Sequence, residues 1–130
     1  MPEPVSTPDA PWDRFAAGHM GFSHRAHLRL AYEALREHDA STALPRIDAA
    51  LRTVAAAHGH PERFHATLTA LWLLVVQERL ARAPTDDFEA FLAANEDLLD
   101  ARALPRRYYR EATLDDPVAR RVFVLPDRLA

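Results

Sequence analysis

Four consecutive segments of this chain repeat their apolar residues with a period near 3.6, and each is bounded by a capping residue, a glycine or a proline. That rhythm is the one-sided stripe of an amphipathic helix, and it leaves little room for a sheet. The first segment opens at Ser23, a good N-cap with Phe22 before it as a staple, and runs to about His38. His24, His27, Leu28, Ala31, Leu35 and His38 share its face. Ser41 or Thr42 caps the second, which places Pro45 in the first turn and Ile47, Leu51, Val54 and His58 on the stripe, with Gly59 as the stop. The third starts at Pro61 and ends near Arg82. Its stripe of Phe64, His65, Leu68, Thr69, Leu71, Trp72, Val75 and Val76 is the widest, so this helix is expected to be the most buried, with Trp72 in the core. Asp86, with Glu89 three residues on, caps the fourth, which carries Phe88, Phe91, Leu92, Asn95, Leu98 and Leu99.

The connections are short enough to make neighbours antiparallel. The expected fold is therefore all-α: a compact four-helix bundle, up-down-up-down, with a short fifth helix near 116–123 and a C-terminal arm. Residues 1–11 contain four prolines and read as a flexible arm before a single helical domain over 12–130. Trp12 and Phe15 are placed to dock that arm, and Gly18 and Gly21 break any short helix beside it.

Composition narrows the function classes. The chain has no cysteine, hence neither a disulfide framework nor a thiolate site. Its basic residues are all arginine, and alanine is abundant, the mark of a GC-rich bacterial gene. A net charge of −3 gives no global field to attract nucleic acid. The longest apolar run, Leu71 to Val76, is far short of the roughly 18 residues of a membrane helix. With no signal-peptide pattern at Met1–Pro4, the expectation is a cytoplasmic protein with neither nucleic acid nor membrane as partner.

Histidine carries the chemistry. His24 and His27, three residues apart on a helix, put two imidazoles one turn apart on the face that also carries Leu28 and Leu35. A buried imidazole must be hydrogen-bonded or ligating. His65 heads the third stripe, and Glu62 precedes it in an E-x-x-H spacing, which supplies a carboxylate and an imidazole from adjacent turns in bundle-core metal sites. In an up-down-up-down path the starts of the first and third helices and the end of the second share one end. His24, His27, His58 and His65 then fall in one layer.

The sequence expectation is thus a divalent transition metal (zinc, iron, copper or nickel) held by His24, His27 and His65. His58 and Glu62 are further candidate ligands, and Thr69 is a candidate to orient the His65 ring. The domain would then be a metal-binding protein or a small metalloenzyme, with a small molecule as substrate and a homo-oligomer as one possible assembly. Two alternatives stand beside it. One is a protein-interaction domain whose buried histidines are structural; the other is metal-free acid–base work by a histidine paired with Glu62. Thr67 and Thr69 have a simpler reading as hydroxyls bonded back to the preceding turn. His19, His38 and His60 read as solvent-facing or capping. The Arg106–Arg110 segment, with Tyr108 and Tyr109, reads as a solvated surface with local ion pairs in preference to a phosphate site.

Three strings together also resemble a family of small uncharacterised bacterial all-helical proteins. They are Phe22-Ser23-His24-Arg25-Ala26-His27, the segment Phe64-His65-Ala66-Thr67-Leu68-Thr69 leading to Trp72, and Tyr108-Tyr109 followed by Ala119-Arg120 and Phe123-Val124-Leu125-Pro126-Asp127. The resemblance implies a shared fold and shared histidines, and supplies no reaction.

Overall fold

The computed structural model describes residues 10–128, so nearly all of the expected arm lies outside the described residues. Among the described residues there is no strand. Seven helices follow one another: α1 Pro11–Ala16, α2 His24–Glu37, α3 Ala40–Ala57, α4 Ala66–Arg82, α5 Phe88–Ala94, α6 Glu111–Asp115 and α7 Pro117–Arg121, with 3-10 turns at Pro61–Arg63, Glu96–Leu99 and Pro105–Arg107.

Helix α1 replaces the expected irregular start. Ala10 is its N-cap and Pro11, at its first position, is buried, because a missing N–H costs nothing there and φ is already helical. Phe15 is fully buried and anchors the helix onto the core. Gly18 and Gly21 then take positive φ (85° and 76°), turning the chain so that Phe22 comes back beside Phe15.

Ser23 caps α2 as the sequence suggests, its Oγ accepting from the Ala26 N–H at 3.1 Å. The buried face is wider than the stripe of His24, Leu28 and Ala31, since Leu30, Tyr32 and Ala34 are buried as well. The extra width has a cause: α2 is the hub, packed against α1, α3, α4 and α5. Tyr32 meets Phe88 and Phe91 of α5 at 5.6 and 5.2 Å between ring centroids.

Several boundaries differ from the sequence expectation. Asp39, and not Ser41 or Thr42, caps α3, accepting from Thr42 N–H at 2.8 Å. Pro45 is consequently the sixth helical residue and lies inside the helix. It deprives the Ser41 carbonyl of its helical donor, and the exposure of Ser41 lets water replace it. Helix α4 starts at Ala66, after the 3-10 turn at 61–63, which makes His65 the N-cap and not a stripe residue. Asp87, one residue later than expected, caps α5. That helix ends after seven residues, where Asn95 turns the chain into the 3-10 segment 96–99. The short fifth helix expected at 116–123 is α7, preceded by the one-turn α6.

The C-terminal segment is tied down at both edges. The Tyr108 carbonyl accepts from the Asp127 and Arg128 amides, and the buried Tyr109 hydroxyl donates to the Val124 carbonyl at 2.6 Å. Thr67, fully buried at the start of α4, holds the middle. Its Oγ1 lies 2.8 Å from the Ala119 carbonyl, 3.0 Å from the Val122 carbonyl and 3.1 Å from the Val124 N–H.

Between α2, α3 and α4 the packing is incomplete. On α3 only Ala43, Ile47 and Ala50 are buried, and two of those three side chains are a single methyl. Leu51, Val54 and Ala55, further along α3, stay partly exposed, and a cavity lies between them and helices α2 and α4.

Candidate functional site: a cavity walled by histidines

The cavity has a volume of about 450 Å³. Leu30 and Ala31 of α2, Ile47, Leu51 and Val54 of α3, and Leu68, Trp72 and Leu73 of α4 supply its apolar wall. Of the chain's seven histidines, five line it: His24, His27, His58, His60 and His65. The beginnings of α2 and α4 and the end of α3 thus meet at one site. No aspartate or glutamate lines it. Asp48 of α3, whose carboxyl burial pushes above the usual range, is not part of the lining.

Each inner imidazole is oriented by the main chain. His24 Nε2 donates to the Leu98 carbonyl at 2.8 Å, and its ring stands edge-on to Trp72, 4.6 Å between centroids. His27 Nδ1 donates to the Ser23 carbonyl at 2.7 Å, with its ring edge-on to the buried Phe15. His65 uses both nitrogens. Nδ1 accepts from the Leu68 N–H at 3.1 Å, which is the cap of α4, and Nε2 donates to the Leu114 carbonyl at 2.8 Å. A carbonyl can only accept and an amide N–H can only donate, so these contacts fix the neutral tautomer of each ring. His24 carries its proton on Nε2, His27 on Nδ1 and His65 on Nε2. Burial is the largest influence on His27 and His65 and lowers the pKa of both, the carbonyl bonds partly opposing it. His24 Nδ1 and His27 Nε2 remain as lone-pair nitrogens without a hydrogen-bond partner among the described residues.

The remaining candidates fall differently. His58 is the C-cap of α3 and lies edge-on to Phe22 at 5.0 Å. Glu62 is exposed in the 3-10 turn, and its carboxylate takes the His60 Nδ1 at 3.1 Å. Because the helix begins only at Ala66, E-x-x-H does not span adjacent helical turns here, and the acid–base pairing of Glu62 with a buried histidine is not formed. Thr69 Oγ1 donates to the His65 main-chain carbonyl at 2.8 Å, so it bonds back along its own helix, and the hydrogen bonds of the His65 ring go to Leu68 and Leu114 instead. Trp72 is half-buried and forms cavity wall, in place of the expected core position. Among the described residues, no three histidines, aspartates or glutamates are grouped so as to hold a metal ion. Arg106 and Arg107 pair with Glu111 and Asp97, the ion-paired surface expected of that segment.

Sequence reasoning missed Phe22 and Arg63 as lining residues. Arg63 follows Glu62 in a turn that the pattern assigned to a helix, and no spacing rule points to it.

Comparison with family models, curated proteins and solved structures finds no match. The functional reading therefore rests on the cavity. No helix among the described residues is long and apolar enough to cross a membrane.

Proposed function

We propose that this protein is a helical domain that binds a small organic molecule in the cavity between α2, α3 and α4. The observation that carries the reading is the cavity itself: about 450 Å³, apolar along its walls, with imidazoles held in fixed orientations by main-chain carbonyls. That is the usual make-up of a ligand pocket, an apolar enclosure with a few placed polar groups. An up-down-up path of α2, α3 and α4 is part of the reading, and the meeting of their ends at one cavity supports it. A neutral probe tests occupancy without reference to any head group. Toluene should shift the NMR resonances of the Leu51, Val54 and Leu68 methyls and the Trp72 indole, and Val54→Trp should abolish those shifts. Shifts spread over the whole surface, or none at all, would refute the reading.

A second reading is favoured by one observation, the two unpartnered nitrogens of His24 and His27. On these a divalent transition metal (zinc, iron, copper or nickel) would find two imidazoles. His65 joins them only by giving up the Leu114 carbonyl or the cap on Leu68, and His58 would complete the set from the end of α3. Zinc titration of protein bearing no affinity tag discriminates. One ion per chain, lost in His27→Ala, supports the metal site; no saturable binding leaves the imidazoles as wall and structural groups.

A further inference from the structure

Resting on the reading that the cavity holds a small molecule, we propose that its ligand is an apolar molecule ending in a carboxylate, with its chain along the aliphatic wall and its head group at Arg63. The first argument is the sign of the lining. The chain as a whole has 19 acidic residues against 16 arginines, yet the ionisable groups around the cavity are five imidazoles and Arg63, with no acid among them. A cationic ligand would find nothing to pair with.

The second argument is what Arg63 lacks. Arg25, Arg29, Arg79, Arg82, Arg106 and Arg107 each hold a carboxylate. The Arg63 guanidinium, like those of Arg36, Arg46, Arg102 and Arg121, makes no ion pair and no hydrogen bond among the described residues, and of these only Arg63 lines the cavity; the adjacent Glu62 carboxylate is engaged with His60. A guanidinium presents its N–H groups as a planar fork that a carboxylate matches with two parallel hydrogen bonds. Arg63 is exposed at the cavity edge, so the head group stays near solvent while the tail is buried.

The third argument is the local field. Helices α2 and α4 begin at this site and α3 ends there, so two positive helix ends face one negative end. The ring nitrogens of His24 and His27 that no protein group engages, Nδ1 and Nε2, are free to meet a hydroxyl or amide further along the ligand.

Calorimetric titration with octanoate, octan-1-ol and octylamine at neutral pH separates the possibilities. Octanoate should bind about tenfold tighter than the alcohol, the gain of one charge-assisted contact at a partly exposed site, and octylamine should bind most weakly. Arg63→Gln, in an exposed turn, should bring octanoate down to the affinity of octan-1-ol and leave octan-1-ol unchanged. If acid and alcohol bind equally, or the amine binds best, the carboxylate assignment is overturned and the occupied cavity stands. If the preference for octanoate survives Arg63→Gln, Arg63 is not its partner and the assignment fails. If none of the three binds, the small-molecule reading falls with it.

Discussion

Replacing Thr67 with valine keeps the shape of the side chain and removes only its hydroxyl. That hydroxyl lies in a fully buried position and serves three main-chain groups of the C-terminal segment. Its single proton is shared by the Ala119 and Val122 carbonyls, while a lone pair receives the Val124 N–H. Valine leaves a buried carbonyl without a donor and an amide without an acceptor. Each unsatisfied buried group costs about 1–3 kcal/mol. The bonds to Val122 and Val124 are only partly buried, so water recovers some of the loss there. One full penalty and part of a second give about 2–4 kcal/mol, a large share of the roughly 5–15 kcal/mol that holds a domain together. Urea denaturation followed by circular dichroism should show the midpoint falling by about 1–2 M. Amide exchange at Val124 should accelerate more than exchange within α2. Thr69→Val is the matched control. Its hydroxyl bonds to the His65 carbonyl, which also accepts the Thr69 N–H at 3.0 Å, so that carbonyl keeps a donor and the loss should stay below about 0.5 kcal/mol. Equal effects of the two substitutions would refute the claim that Thr67 pins the C-terminal segment.

Stability should fall with acid in a window set by the half-buried His27 and the buried His65. Folding lowers the His27 and His65 pKa values from the ordinary 6.5, so the unfolded chain takes up protons first. Stability present above that value is lost as pH falls below it. Urea midpoints between pH 8 and pH 5 should therefore decline, and His65→Asn, which retains a capping side chain, should flatten the slope; a flat wild-type profile would contradict this. Phe15→Ala, at a fully buried position, should cost about 3–5 kcal/mol by chemical denaturation. Trp72→Ala should cost less, about 1–3 kcal/mol, because half-buried cavity wall leaves less new void.

The helical class was legible because apolar periodicity and capping are local properties. Ser23 announces α2 within four residues of sequence, and the stripe of α4 survives the error in its start. The gathering of His24, His27, His58 and His65 followed from helix order and short connections, and all four line the cavity. What those rings do was not legible, since their partners, Leu98 and Leu114, lie 74 and 49 residues from His24 and His65. His65 was misplaced because imidazole is seldom the capping group, so Phe64-His65 reads as continuing the apolar stripe. Thr67 looked like any helical threonine until the Ala119–Val124 segment arrived from more than 50 residues away. Helix α1 was hidden by the prolines before it and the glycines after it. The cavity itself was not legible, because its α3 wall of Ile47, Leu51 and Val54 reads as an ordinary apolar stripe and no local pattern tells that the facing helices leave space beside it.

The main-chain orientation of the histidines bears on how this protein tolerates sequence drift. A ring held by an aspartate is lost when that aspartate changes. Here the groups that set the proton positions are the carbonyls of Ser23, Leu98 and Leu114, which any amino acid at those positions would still provide. Neutral substitution at 98 or 114 can alter packing without rewriting which nitrogen carries the proton. To change that, the backbone must move, so insertions and deletions in the segments bearing Leu98 and Leu114 are the mutations to which the cavity is most exposed.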